Sequence, residues 1–249
     1  GGIDFFVDSR NIIGIMANGN FAETDWTSNG ISRVSHVPTN TYAYDLIAEN
    51  SVPGKRTNAN FNVNYRYADT SGLEINFDGD YGVFRGEGNS VQPNSYEYPN
   101  PVNNSLVVNR NFTPTDIDIY TAKLDVEQKL GKGKLGYGAK ISYVKTKNTF
   151  DFFTDTAVDK PVLVLDRSSR FSYTENVNAA YINYQQQLNE KWSVQVGVRG
   201  EQTNSDGELT RSNGTAGPDD RVKRNYFNLF PSGALTWNMS QKHSLNLTY

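Results

Sequence analysis

Few residues in this sequence can do acid, base or metal chemistry, and they are scattered. The 249 residues include two histidines, His36 and His243, and no cysteine, which removes thiol catalysis, structural disulfides and cysteine-ligated zinc together. A metal or acid–base site needs its groups to converge, whereas the strand pattern described below sets His36 and His243 at opposite ends of the fold. Asp78-Gly79-Asp80 and the loop pair Asp219-Asp220 offer carboxylates. Calcium takes about six to eight oxygen ligands and neither spacing matches a calcium loop, so charge on a wet face and loop solvation account for both. Gly131-Lys132-Gly133-Lys134 joins two strands with no helix after it, and reads as a hairpin turn rather than a phosphate cradle. No catalytic, metal-binding or cofactor-binding residue is expected, nor an enzymatic activity.

Aromatic residues are the other chemically informative group. Tyr96, Tyr98, Phe152 and Phe153 lie in polar, irregular stretches facing the medium, where they are candidates for stacking on a sugar or holding an apolar ligand; ordinary loop packing is the competing explanation. Tyr65, Tyr67, Tyr81, Tyr143, Trp192 and Trp237 fall toward strand ends. In a membrane barrel they would form interfacial girdles, and in a sandwich they would pack core or edge.

The elements that position these groups are strands. In Trp192–Arg199, Trp192, Val194, Val196 and Val198 point one way and Ser193, Gln195, Gly197 and Arg199 the other, because successive side chains leave opposite faces of a strand. The preceding run, Val177–Tyr184, connects to it through Leu188-Asn189-Glu190-Lys191, and a hairpin of this length needs similar neighbours to be stable. The same alternation predicts strands over Gly2–Val7, Ile13–Phe21, Ala59–Tyr67, Leu73–Val83, Tyr120–Val126, Leu135–Tyr143, Phe227–Trp237 and, at the end, Leu245–Tyr249. Asn60, Asn62, Asn64, Arg66, Glu74, Asp78, Asp80, Lys123 and Asp125 occupy the opposite faces. Unpaired acids are costly in a dry core, so that face is wet or charge-matched.

Five short turns, near Asp8, Asp69, Gly131, Asn189 and Gln241, interleave with four long polar stretches at about residues 27–55, 85–115, 149–169 and 204–224, read here as loops because Pro38, Pro53, Pro93, Pro99, Pro101, Pro114 and Pro218 oppose regular sheet. In an up-and-down meander all the short turns then fall at one end and all the long connections at the other, the asymmetry of outer-membrane barrels. The strands reach roughly 12–15 residues against a usual length of about 5–6. The expected fold is all-β, an antiparallel up-and-down meander forming part of a transmembrane outer-membrane β-barrel, with residues 1–249 as one segment of about ten strands. A soluble β-sandwich or solenoid is the alternative.

Composition agrees. The sequence is 37% hydrophobic, 12% aromatic and 20% charged with 21 glycines, favouring strands and tight turns. A formal net charge of -3 leaves no basic footprint for nucleic acid. The mean hydropathy of -0.62 and the lack of a long apolar run exclude a transmembrane helix but not a barrel, whose strands need only every second residue apolar over about 9–11 positions.

Glu175–Tyr181, Trp192–Thr203, Asn225–Ser232 and Lys242–Tyr249 carry a resemblance to the outer-membrane β-barrel family of TonB-dependent receptor-like proteins common in Bacteroidetes, strongest after about residue 116. The resemblance implies a bacterial outer-membrane location, outer-membrane lipid around the wall, and a plug domain and TonB-type energy coupling encoded outside this segment. It implies no particular ligand. No plug or TonB-contacting segment is seen and the strands are fewer than the roughly 22 of a plugged transporter barrel, so the segment is expected to be incomplete at both ends and not to close a barrel by itself. Three functions remain open: the barrel portion of a receptor taking up or binding an external ligand; a small passive or structural outer-membrane barrel; or a soluble β-rich carbohydrate-binding module.

Overall fold

A computed structural model describes residues 1–155, 160–240 and 242–249. Asp159 of the third polar stretch and Gln241 of the last turn lie outside the described residues. The chain folds into one antiparallel sheet built as an up-and-down meander: β1 (Gly2–Phe6), β2 (Asn11–His36), β3 (Thr41–Ala68), β4 (Glu74–Glu97), β5 (Ser105–Phe112), β6 (Thr115–Leu130), β7 (Gly133–Asp155), β8 (Pro161–Leu163), β9 (Ser169–Gln187), β10 (Trp192–Arg211), β11 (Arg221–Ser240) and β12 (His243–Thr248). Neighbours follow chain order. Strands β5 and β6 share one lane between β4 and β7, interrupted at Thr113-Pro114, and β8 is a short rung on β7. Among the described residues no pairing joins β1 to β12, so the sheet is open.

The registers are uniform enough to carry each face across the whole sheet. On one face Ile15, Val63, Gly79, Ala122 and Ile141 follow one another from strand to strand, and Ile182, Val198 and Pro231 continue the same face. On the other, Asn62 stands beside Asp80, Asp80 beside Thr121 and Thr121 beside Ser142. The apolar run Leu135–Tyr143 covers roughly 26 Å along β7 at about 3.3 Å per residue, enough for the band of about 25 Å that lipid requires. That face is lipid-facing and its opposite lines the lumen.

Aromatic ladders bound the band. Phe61, Tyr81, Tyr120 and Tyr143 sit side by side on β3, β4, β6 and β7, with successive centroids 6.2, 4.9 and 6.4 Å apart. At the short-turn end Trp192 stacks on Trp237, and the Tyr65 hydroxyl donates to Asn11 at 2.6 Å. Tyr65, Tyr81, Tyr143, Trp192 and Trp237 are girdle positions expected from the sequence, and Phe61 and Tyr120 join them through the register.

Much of the four polar stretches is strand rather than loop, with irregular connections left at 98–104 and 212–220, and this corrects the sequence reading. Strands β2 and β3 continue to a four-residue turn at 37–40, β4 runs to Glu97, β7 to Asp155, and β10 and β11 to Arg211 and from Arg221. Strand lengths of 28, 26 and 24 residues for β3, β2 and β4 exceed the 12–15 expected. Beyond the membrane both sides of a hairpin are wet, so alternation fades while backbone pairing persists. Proline is accommodated by dropping rungs on one side only. Pro53 pairs with Asp25 of β2 and Pro93 with Val108 of β5, but the β3–β4 ladder has no rung at either proline.

Candidate functional site

The lumen wall is a lattice of short polar contacts. Asp80 accepts from Asn62 at 2.7 Å and from Thr121 at 2.8 Å, so its carboxylate braces three strands rather than waiting for a cation. Lys123 meets Asp125 at 2.5 Å, Arg66 meets Glu74 at 2.9 Å and Arg199 meets Glu201 at 2.5 Å. Buried charge without a partner would be prohibitive; here these three pairs lie along a face that water can reach. Among the described residues no group of acids and histidines is arranged to hold a metal. His36 bonds Thr39 at the far turn of β2, and His243 bonds Ser240 at the short-turn end, so they lie at opposite ends as expected.

Above the girdle the lumen face becomes aromatic. Tyr96 and Tyr98, two of the sequence candidates, meet Tyr44 of β3, with centroids 5.8 and 5.2 Å from its ring. Tyr44 and Tyr96 share the face of Asn62 and Asp80, because the β3–β4 register keeps one parity from Ala68 to Asp45, and Tyr98, just past the end of β4, joins them through its contact with Tyr44. Tyr44 was not selected from sequence; it lies in a run there read as a polar excursion.

Phe152 and Phe153 are not brought together. Phe152 is only 3% exposed, capped by the Arg167 guanidinium 3.4 Å from its ring centre, and its amide donates to the Ser168 hydroxyl. Arg167 arrives through a 3-10 turn, Leu165–Arg167, that folds back over β7. Phe153 points to the opposite face, across from Arg110, whose guanidinium reaches Asp155 at 3.1 Å.

A second lumen-side aromatic pair went unselected. Phe171 and Tyr173 stack at 6.5 Å and 13° at the start of β9. With Leu209, Val222, Ser205, Asp219 and Arg224 they line a cavity of about 440 Å³. The alternation Phe171, Tyr173, Glu175 was visible in the sequence, but its height above the membrane required the register. The Tyr173 hydroxyl donates to Glu175 at 2.7 Å, fixing the ring.

The outward face above the girdle is ionic. Glu23 pairs with Lys55 at 3.4 Å, Arg85 with Asp118 at 2.7 Å and Asp116 at 3.5 Å, and Arg221 with Asp206 at 2.7 Å. The hydrogen bond from Arg85 holds the Asp118 carboxyl below the usual range, and that from Arg221 does the same for Asp206.

A family model described as the outer membrane protein beta-barrel family matches residues 66–249. Two solved structures resemble the chain: the ferric yersiniabactin uptake receptor FyuA from Yersinia pestis, at 11% identity and TM-score 0.41 over 96% of this chain and 42% of that one; and the unliganded ferric citrate transporter FecA, at 10% identity and TM-score 0.38 over 97% and 41%. The chain thus spans about two fifths of the length of these structures. No curated protein sequence matches it.

Proposed function

Because this chain belongs to the outer membrane protein β-barrel family and hence to the bacterial outer membrane, we propose that it forms the wall of a receptor that captures an external ligand on its tall hairpins and admits it along the lumen. In this reading a plug domain and TonB-type energy coupling, supplied outside the segment, complete the machine, and the wall itself performs no chemistry. The observation that carries the reading is the continuity of one face: Tyr44, Tyr96 and Tyr98, and separately Phe171 and Tyr173, stand directly above the polar lumen lattice. Rigid aromatic surface beside placed polar groups is what small-molecule recognition uses. The outer-membrane location sets aside the soluble carbohydrate-binding module.

The test is solute depletion. Cells with and without the full-length gene are incubated in complex medium, and the solutes removed are identified by mass spectrometry before and after the proton motive force is collapsed. We expect at least one solute to be taken up only with the gene and only in energised cells, and its uptake to fall when Tyr44, Tyr96 and Tyr98 are all changed to alanine. Uptake that persists without the proton motive force would instead support a passive barrel.

A further inference from the structure

Two cations on the lipid side of the sheet, Lys145 and Lys147, make no close ion pair among the described residues, although Lys145 lies near enough to Asp118 to act on its carboxyl at longer range. Lys145 and Lys147 follow Tyr143 on the outward face of β7, one and two steps above the girdle. Among the described residues no carboxylate oxygen lies within 4.0 Å of either ammonium. Their neighbours on β9 are Thr174 beside Lys145 and Ser172 beside Lys147, and among the described residues neither hydroxyl is engaged in a hydrogen bond to protein. The four side chains form a square of donors, roughly 7 Å along the strand and 5 Å across it. On the β6 side Asp118 stands beside Lys145 and Asp116 beside Lys147, and both acids are drawn instead to Arg85.

We propose that this square binds the phosphate of an outer-leaflet lipid headgroup. The height fits: Tyr rings of a girdle mark the headgroup boundary, and the lysines stand immediately beyond it. The charge fits too, since ammonium and hydroxyl groups without a close protein acceptor among the described residues match a group that offers only acceptors. The site lies on the face opposite the lumen, so its occupant is a lipid of the surrounding leaflet and not cargo. It serves to fix the tilt and depth of β7 and β9, the strands that carry Phe152 and the Phe171–Tyr173 pair.

The experiment is native mass spectrometry of the full-length protein in mild detergent, titrated with phosphatidylglycerol and, separately, with an uncharged glycolipid. Wild type is expected to retain phosphatidylglycerol, and Lys145→Gln/Lys147→Gln to lose about thirtyfold in retention, the amount that two surface cations contribute. Lys145→Arg/Lys147→Arg should keep it. Asp118→Asn should increase it, because Arg85 is released toward the same phosphate; this gain does not depend on a weakened variant folding. Unchanged retention in the glutamine variant, equal retention of the uncharged lipid, or displacement by millimolar inorganic phosphate, which would mark a site for soluble anions, would each overturn the proposal.

Discussion

The indole rings of Trp192 and Trp237 lie parallel within 1°, with centroids 5.3 Å apart, directly across the β10–β11 ladder at the short-turn end. The pair closes the lipid face where Val194–Leu235 and Val198–Pro231 leave off. Offset-stacked aromatic pairs contribute about 0.5–1.5 kcal/mol beyond the area they bury. A double-mutant cycle with Trp192→Ala and Trp237→Ala, read by urea unfolding in lipid vesicles, should return a coupling in that range. Additive costs would show that the rings only share an interface.

Ala139 and Ser142 test the assignment of faces. Ala139 lies between Leu124 and Ala180 in the middle of the apolar band, and Ser142 between Thr121 and Val177 on the lumen side. Arginine at 139 should cost about 2–4 kcal/mol, as at a bilayer midplane, and arginine at 142 much less. Unfolding free energies of the two variants decide it, and equal costs would refute the orientation.

Gly136 and Gly138 are lumen-facing neighbours that answer differently to one added methyl. The three atoms nearest a Cβ on Gly136 all belong to the Asn183 side chain, at 2.7 to 3.1 Å, whereas one on Gly138 meets the Leu124 carbonyl at 2.5 Å as well as the Tyr181 ring. Overpacking costs about 1–3 kcal/mol. Asn183→Ala should therefore relieve Gly136→Ala, while Tyr181→Ala should leave much of the cost of Gly138→Ala in place, as measured by thermal unfolding of the single and paired variants.

Acid should open the outer hairpin of β10 and β11 first. Asp206 is held below the usual carboxylate range chiefly by its hydrogen bond from Arg221. A carboxyl depressed in the folded state lends stability above its unfolded value, about 3.9, and that stability is lost as pH falls through the lower folded value. Amide exchange at Asp206–Glu208 should accelerate below about pH 4. Arg221→Gln should already show faster exchange at neutral pH, with little further acid response.

The membrane wall was legible in the sequence because lipid on one side and water on the other enforce a period of two, seen from Leu135 to Tyr143 and from Trp192 to Val198. The hairpins above it were not, because Thr27-Ser28-Asn29-Gly30 and Glu49-Asn50-Ser51 put polar residues on both faces where alternation would have marked a strand, and Pro53 and Pro93 read as breaks. Tyr96 and Tyr98 were recognisable as a pair; their partner Tyr44 lies 52 positions before Tyr96 and comes to it only through the register that pairs Leu46 with Tyr96. Phe152 and Phe153 looked equivalent as adjacent letters, yet adjacent residues on a strand cannot share a face.

The rungs missing at Pro53 and Pro93 make a fault line across the β3–β4 hairpin. Below it the ladder is continuous from Gly54–Gly88 to Ala68–Glu74, and above it pairing resumes from Ala48–Asn94 to Asp45–Glu97, with the single rung Ser51–Val91 between. The Tyr44 cluster therefore sits above a weakened seam between β3 and β4, while the flanking β2–β3 and β4–β5 ladders run unbroken past it. Local opening draws on the segments with the fewest rungs, so the hairpin should breathe from its waist rather than its tip. In hydrogen exchange, amides of residues 49–52 and 89–92 should become labelled before those of 45–48. A seam at that height would let the three tyrosines shift relative to one another while the rungs of β3 and β4 below it, from Gly54–Gly88 through the lipid band to Ala68–Glu74, stay paired.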